Sequence, residues 1–182
     1  MLLETGINIL DYKRTIIGKY IFFYNDDGVY FTTFSRSGIT DNVKQLTYNK
    51  NGIKNTVSIQ QVGDKVYILA CDINQPTTYI YEFDTTPHVN LVSSISSARV
   101  FYITINKLAK NSNNSYYLLL YGDSSTAGKK IAYIQTLSST IDLTKAKTIT
   151  LPRTYDQIFS TDVLYENIVY AYSSKDKYLD RL

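Results

Sequence analysis

The plainest structural signal lies in Lys19-Tyr20-Ile21-Phe22-Phe23-Tyr24, then Asn25-Asp26-Asp27-Gly28, then Val29-Tyr30-Phe31-Thr32-Thr33-Phe34. Both flanks are runs of β-branched and aromatic residues, which fit a pleated surface, and the four residues between them are turn formers. The stretch reads as a hairpin, with the Asp27-Gly28 step expected to supply the positive φ angles of a tight turn. A third strand is expected over Asn42 to Tyr48, closed by Asn49-Lys50-Asn51-Gly52.

The same phrase recurs. Asp64 to Asp72 leads through a turn at Pro76 to Thr78–Phe83 and Val89–Val92. Ser115 to Asp123 turns at Ser124 to Gly128, continues over Lys130–Gln135 and is followed by a strand near Lys147 to Leu151. Glu166 to Tyr172 turns at Ser173–Asp176 and runs on to Asp180. A short strand is expected before each apolar run, at Asn8–Lys13, Thr56–Gln61, Arg99–Ile105 and Gln157–Val163. Anchored on Tyr20, Val66, Tyr116 and Ile168, the phrases are spaced by 46, 50 and 52 residues.

Four antiparallel strands per 40–50 residues is the signature of a propeller blade. The pattern resembles that of β-propeller repeat proteins over nearly the whole chain, although the sequence has no Trp and so lacks the tryptophan-based blade motifs. The expected fold is all-β: a propeller-like array of about four antiparallel blades in a single domain, residues 1–182. Its repeat units run 8–55, 56–97, 98–155 and 156–182. A β-sandwich or open barrel is the alternative. The last unit has no outer strand after Leu179, and an unpaired edge seeks a partner. The N-terminus, another chain or a longer polypeptide could supply it, unless Lys175, Lys177 and Arg181 block pairing.

Composition agrees. Ile, Thr and Val total 50 of 182 residues and Tyr and Phe another 25, against 3 Glu and 7 Ala. The scarcity of good helix formers excludes a bundle or coiled coil and argues against an α/β enzyme. A net charge of +3 is too small to imply nucleic acid or membrane-surface binding. Lys107, Lys110, Lys129, Lys130, Lys145 and Lys147 are scattered rather than striped, and Arg36, Lys44, Lys50 and Lys54 lie among turn residues. Both sets read as solvated surface.

Reactive chemistry finds little support. Cys71, the only cysteine, lies in the apolar run Tyr67-Ile68-Leu69-Ala70-Cys71 and reads as a buried, inert thiol. His88, the only histidine, follows Pro87 in a turn. One Cys and one His do not build a structural zinc site, and nothing pairs His88 with a nucleophile. Asp26, Asp27, Asp72, Asp84 and Asp123 sit at turn positions and read as caps of their own backbone. The alternative is a carboxylate pair at one mouth of a propeller, as in a glycoside hydrolase. The three glutamates are Glu4, Glu82 and Glu166, with Glu82 expected to face out of its strand. Catalytic, cofactor-binding and metal-binding residues are therefore all expected to be none, and no cofactor is implied.

Tyrosines are the surplus that points to function. Tyr20, Phe22 and Tyr24 form one stripe and Tyr79 and Tyr81 another, read chiefly as packing between blades. Tyr on loops would suit adhesion or stacking on sugars, because it offers rigid contact area with a hydroxyl. No export signal and no apolar run of transmembrane length is visible, and Asn113-Asn114-Ser115 is one glycosylation sequon. Rich in Tyr, Ile, Thr and Asn and poor in Cys, His and Met, the chain is similar in style to structural or host-recognition proteins of viruses infecting hyperthermophilic archaea. That resemblance implies a non-enzymatic structural or binding module on a virion or extracellular surface. Its partners would be other protein subunits and surface glycans, with no nucleic acid and no transmembrane segment. The alternatives are a carbohydrate-binding or glycoside-hydrolysing propeller and a cytoplasmic scaffold.

Overall fold

In a computed structural model, the chain forms antiparallel β-sheets with one 3-10 turn, Ile9–Asp11, and no α-helix among the described residues. Those residues are 7–62, 64–72, 77–95, 98–107, 116–124, 130–137, 147–153, 155, 157–160 and 169–181. The first sheet holds β1 (Lys13–Ile17), β2 (Tyr20–Tyr24), β3 (Val29–Ser35) and β4 (Gly38–Ile39) in that order, with β5 (Lys44–Gln45) also paired to β3. A small hairpin follows, β6 (Thr47–Tyr48) with β7 (Asn51–Gly52). The second sheet is the meander β8 (Thr56–Val62), β9 (Lys65–Asp72), β10 (Thr77–Phe83) and β11 (Val89–Ile95).

A third sheet orders β12 (Ala98–Lys107), β13 (Tyr116–Ser124), β14 (Lys130–Leu137) and β15 (Lys147–Thr150). The fourth has three strands, β16 (Gln157–Ser160), β17 (Val169–Ser173) and β18 (Tyr178–Arg181). No described sheet closes into a barrel. The chain divides into two compact units: Met1–Ile73 with Tyr79–Ser94, and Asn74–Thr78 with Ile95–Leu182.

The expected apolar runs are the strands β2, β9, β13 and β17, and each is followed by a hairpin partner. Three expectations need correction. Residues 9–11 form a 3-10 turn where a strand over Asn8–Lys13 was expected: the Asn8 side chain accepts from the Leu10 amide at 3.4 Å and donates to Asp11 Oδ2 at 2.8 Å. Such local side-chain bonds compete with a sheet ladder, and strand pairing begins only at Lys13, opposite Tyr24.

The Asp27-Gly28 step does not take positive φ; left-handed glycines occur at Gly18 and Gly38 instead. The β2–β3 turn is closed by Asn25, whose Oδ1 accepts from the Asp27 amide at 2.8 Å and the Gly28 amide at 3.1 Å. Finally, the strand expected over Asn42 to Tyr48 is broken into β5 and β6. Between them Leu46 is fully buried and donates its amide to the Val29 carbonyl at 2.8 Å. In the β6–β7 hairpin the left-handed positions are Asn49 (φ 48°) and Lys50 (φ 67°), the geometry of a two-residue mirror-image turn. The turns at Pro76 and 125–128, the Asn113 sequon and residues 161–168 lie outside the described residues.

In the first unit, one core joins the facing sides of the first two sheets. Ile17, Phe22, Val29 and Phe31 meet Ile59, Val66, Ile68, Ala70 and Tyr81, with Leu46, Ile53 and Val89 at the junctions. Phe83 is edge-on to Phe22 and Phe31, each at 5.1 Å between ring centroids, and to Tyr20 at 5.1 Å. Because strand side chains alternate, the even residues of β9 enter this core while Tyr67, Leu69 and Cys71 are buried on its opposite side. This accounts for the uninterrupted apolar run: six successive residues, Val66 to Cys71, are buried. Backbone bonds tie the sheets together, from the Asn55 amide to the Asp26 carbonyl at 2.9 Å and from the Cys71 amide to the Asn55 carbonyl at 3.0 Å.

In the second unit, Leu151, Tyr155, Ala171 and Ser173 are buried. The buried Tyr155 hydroxyl donates to Asp180 Oδ2 at 2.6 Å, and Arg153 Nε stands 2.8 Å from the same oxygen. The Arg153 contact is an ion pair rather than a hydrogen bond, since its N–H is not aimed at the carboxylate. The Arg153 guanidinium also lies 4.3 Å from the centroid of the Tyr178 ring. Burial, reinforced by the Asp180 hydrogen bond and charge, pushes the Tyr155 hydroxyl up to about 12, with Arg153 opposing.

Candidate functional site

Of the aspartates singled out in the sequence, Asp84 caps its own turn. Asp84 Oδ1 accepts from the Thr86 amide at 3.1 Å and from the Thr86 hydroxyl. Asp41 takes the Thr33 hydroxyl, and Asp176 accepts from Ser173 at 3.3 Å. Asp26 and Asp27 are exposed on the β2–β3 turn, Asp72 closes β9 and Asp123 falls inside β13 rather than at a turn. Glu82 reaches Lys65 Nζ at 2.9 Å across β9 and β10, while Glu4 and Glu166 lie outside the described residues.

Cys71 is a buried thiol on β9. His88 Nδ1 lies 3.1 Å from Thr47 Oγ1, beside a parallel bridge between the same residues. A hydroxyl facing an imidazole is the first half of a nucleophile–base pair. Here, however, Thr47 also donates to the Pro87 carbonyl at 3.3 Å, and no described carboxylate is bonded to the ring. Among the described residues no group of three His, Cys, Asp or Glu is placed to hold a metal.

The tyrosine stripes divide in two. Tyr20, Tyr24, Tyr48, Tyr79 and Phe83 pack against the rim of the core. Tyr79 stacks on Tyr81 at 6.1 Å, and Tyr48 meets Tyr81 at 5.3 Å. Burial, with Tyr79 and Tyr48 adding to it, holds the Tyr81 hydroxyl at about 12. These rings pack against the core of the first two sheets.

Tyr12 and Tyr30 lie apart from that core. Their rings are perpendicular, at 89° and 5.6 Å, and both are half-buried. Register explains the meeting. Tyr30 pairs with Phe23 on one side and Gln45 on the other, and Phe23 pairs with Arg14, so Arg14, Phe23, Tyr30 and Gln45 form one row on the outer side of the first sheet. Two residues before Arg14 on an extended backbone, Tyr12 falls on the same side. Its hydroxyl is raised, first by burial, then by Tyr30 and Asp27, while the Asn25 amide opposes.

Glycine clears the floor of this corner. A Cβ on Gly28 would come 3.0 Å from Tyr30 Cε2 and 3.3 Å from Gln45 Nε2, and one on Gly52 would come 2.7 Å from the same amide nitrogen. The sequence reading overlooked Tyr12, Tyr30 and Gln45. The β3–β5 pairing that unites them is non-local, and Gly28 was credited with turn geometry rather than with leaving room. Arg36, Lys44, Lys50, Lys54, Lys175, Lys177 and Arg181 are all exposed.

No protein-family model matches the chain, and no curated protein matches it significantly. Among the described residues no helix is long and apolar enough to cross a membrane, which leaves membrane-spanning strands untouched.

Proposed function

We propose that this protein is a non-enzymatic binding or structural module that presents tyrosines and turn residues from a rigid β scaffold. It works on a virion or cell surface, in assembly with other protein subunits. The observation that carries the reading is the Tyr12–Tyr30 pair, two half-buried rings fixed edge-on outside the core. Ordered rings at a surface offer contact area at little entropic cost. The four successive antiparallel meanders suit a propeller-like array of blades, the last with three described strands. Tyr178 and Leu179, 56% and 57% exposed on β18, suit a strand edge that meets another subunit. A hydrolase reading gains no support from Asp84, which caps its own turn, or from Glu82, which pairs with Lys65.

Light scattering of the purified chain tests the proposal, together with an assay for sugar released from polysaccharides. A solution mass above 20.8 kDa and no turnover are expected. A monomer at every concentration, or hydrolysis abolished by a single carboxylate substitution, overturns it.

A further inference from the structure

The Tyr12–Tyr30 corner has the parts of a sugar subsite, and the following inference rests on the binding-module reading. The two rings meet at right angles with centroids 5.6 Å apart, and a ring face that its neighbour does not cover can take the apolar C–H side of a pyranose while the second ring closes the edge. A planar polar group borders the corner. The exposed Gln45 amide stands opposite Tyr30 on the neighbouring strand, and among the described residues no hydrogen bond occupies it.

A primary amide, which both donates and accepts, is suited to vicinal hydroxyls. Asn25 is not part of the recognition set, because its side chain is spent on the Asp11 carbonyl at 3.3 Å and on the turn amides. It fixes the frame instead. Neither the two rings nor the amide carries a charge, so the corner favours a neutral ligand. The absence of a side chain at both Gly28 and Gly52 is what lets Tyr30 and Gln45 lie in place.

We infer that Tyr12, Tyr30 and Gln45 form a shallow subsite for one residue of a neutral glycan, with Gly28 as its positioning residue.

An array of neutral and acidic oligosaccharides, probed with the intact chain, tests the inference. A neutral oligosaccharide should be retained, and Tyr30→Ala or Gln45→Ala should each weaken its binding by about tenfold or more. Gly28→Ala, whose new methyl pushes the Tyr30 ring rather than the backbone, should weaken binding with an unchanged circular dichroism spectrum. Tyr30→Phe, which keeps the ring, should retain most of it. Failure of every neutral oligosaccharide to bind, retention of acidic ones only, or undiminished binding in both alanine variants overturns the subsite. A chain that assembles yet retains no sugar overturns this inference alone; one that does neither removes the module reading as well.

Discussion

The contacts described in the first two sheets and those described beside the fourth are of opposite chemical kinds. Between the first pair, Phe22, Phe31, Phe83 and Tyr20 interlock edge to face with no polar atom of their own to satisfy except one hydroxyl. Around β18, a tyrosine hydroxyl and a guanidinium converge on the single carboxylate of Asp180. Apolar packing stabilises in proportion to area removed from water, and it tolerates imperfect partners. A polar knot stabilises little when complete and costs much when one member is lost. The first region should therefore respond to volume and the second to proton and charge.

Truncation should reveal the largest effect. Phe22 is fully buried at the centre of the ring cluster, so Phe22→Ala should cost about 3–5 kcal/mol by denaturant unfolding. A loss below about 1 kcal/mol would mean that the cluster is not the core. Next, Asp180→Ala leaves the Tyr155 hydroxyl buried without its acceptor and should cost about 1–3 kcal/mol. Asp180→Asn, which keeps an acceptor, should cost less; equal losses would show that the knot depends on charge alone.

The two regions should share one pH response for different reasons. The Tyr155 and Tyr81 hydroxyls are both raised to about 12, against the ordinary value of about 10 regained on unfolding. Their contribution is therefore complete below about pH 10 and is lost as the pH rises towards 12. Urea midpoints should fall across that interval. Tyr155→Phe should flatten the part of the fall that belongs to the second unit and leave the Tyr81 part intact. The smallest effect concerns a turn: Lys50 holds φ at 67°, and Lys50→Gly should stabilise by about 0.5–1 kcal/mol. A destabilised variant would show that the lysine side chain makes a contact worth more than the strain.

What could be read from the sequence was whatever depends on neighbours a few residues away. The runs that became β2, β9, β13 and β17 stood out as β-branched, aromatic and leucine-rich segments, and in β9 burial on both sides leaves no polar interruption from Val66 to Cys71. The misread segments are those where a side chain overrides local propensity. Asn8 bends residues 9–11 out of a strand, and Asn25 closes a turn credited to Gly28. The candidate site was harder still. Tyr12, Tyr30 and Gln45 come together only through pairing of β3 with both β2 and β5, which no periodicity within one segment reveals.

The doubly buried β9 has a further consequence before folding is complete. Val66-Tyr67-Ile68-Leu69-Ala70-Cys71 is a hexapeptide with high sheet propensity, no charge and no proline, the composition that stacks into cross-β fibrils when exposed. Lys65 and Asp72 bracket it on either side and act as gatekeepers that repel in-register stacking of identical chains. Neutralising both, in Lys65→Gln with Asp72→Asn, should leave the native fold in place while shortening the lag before thioflavin-positive aggregates form during refolding.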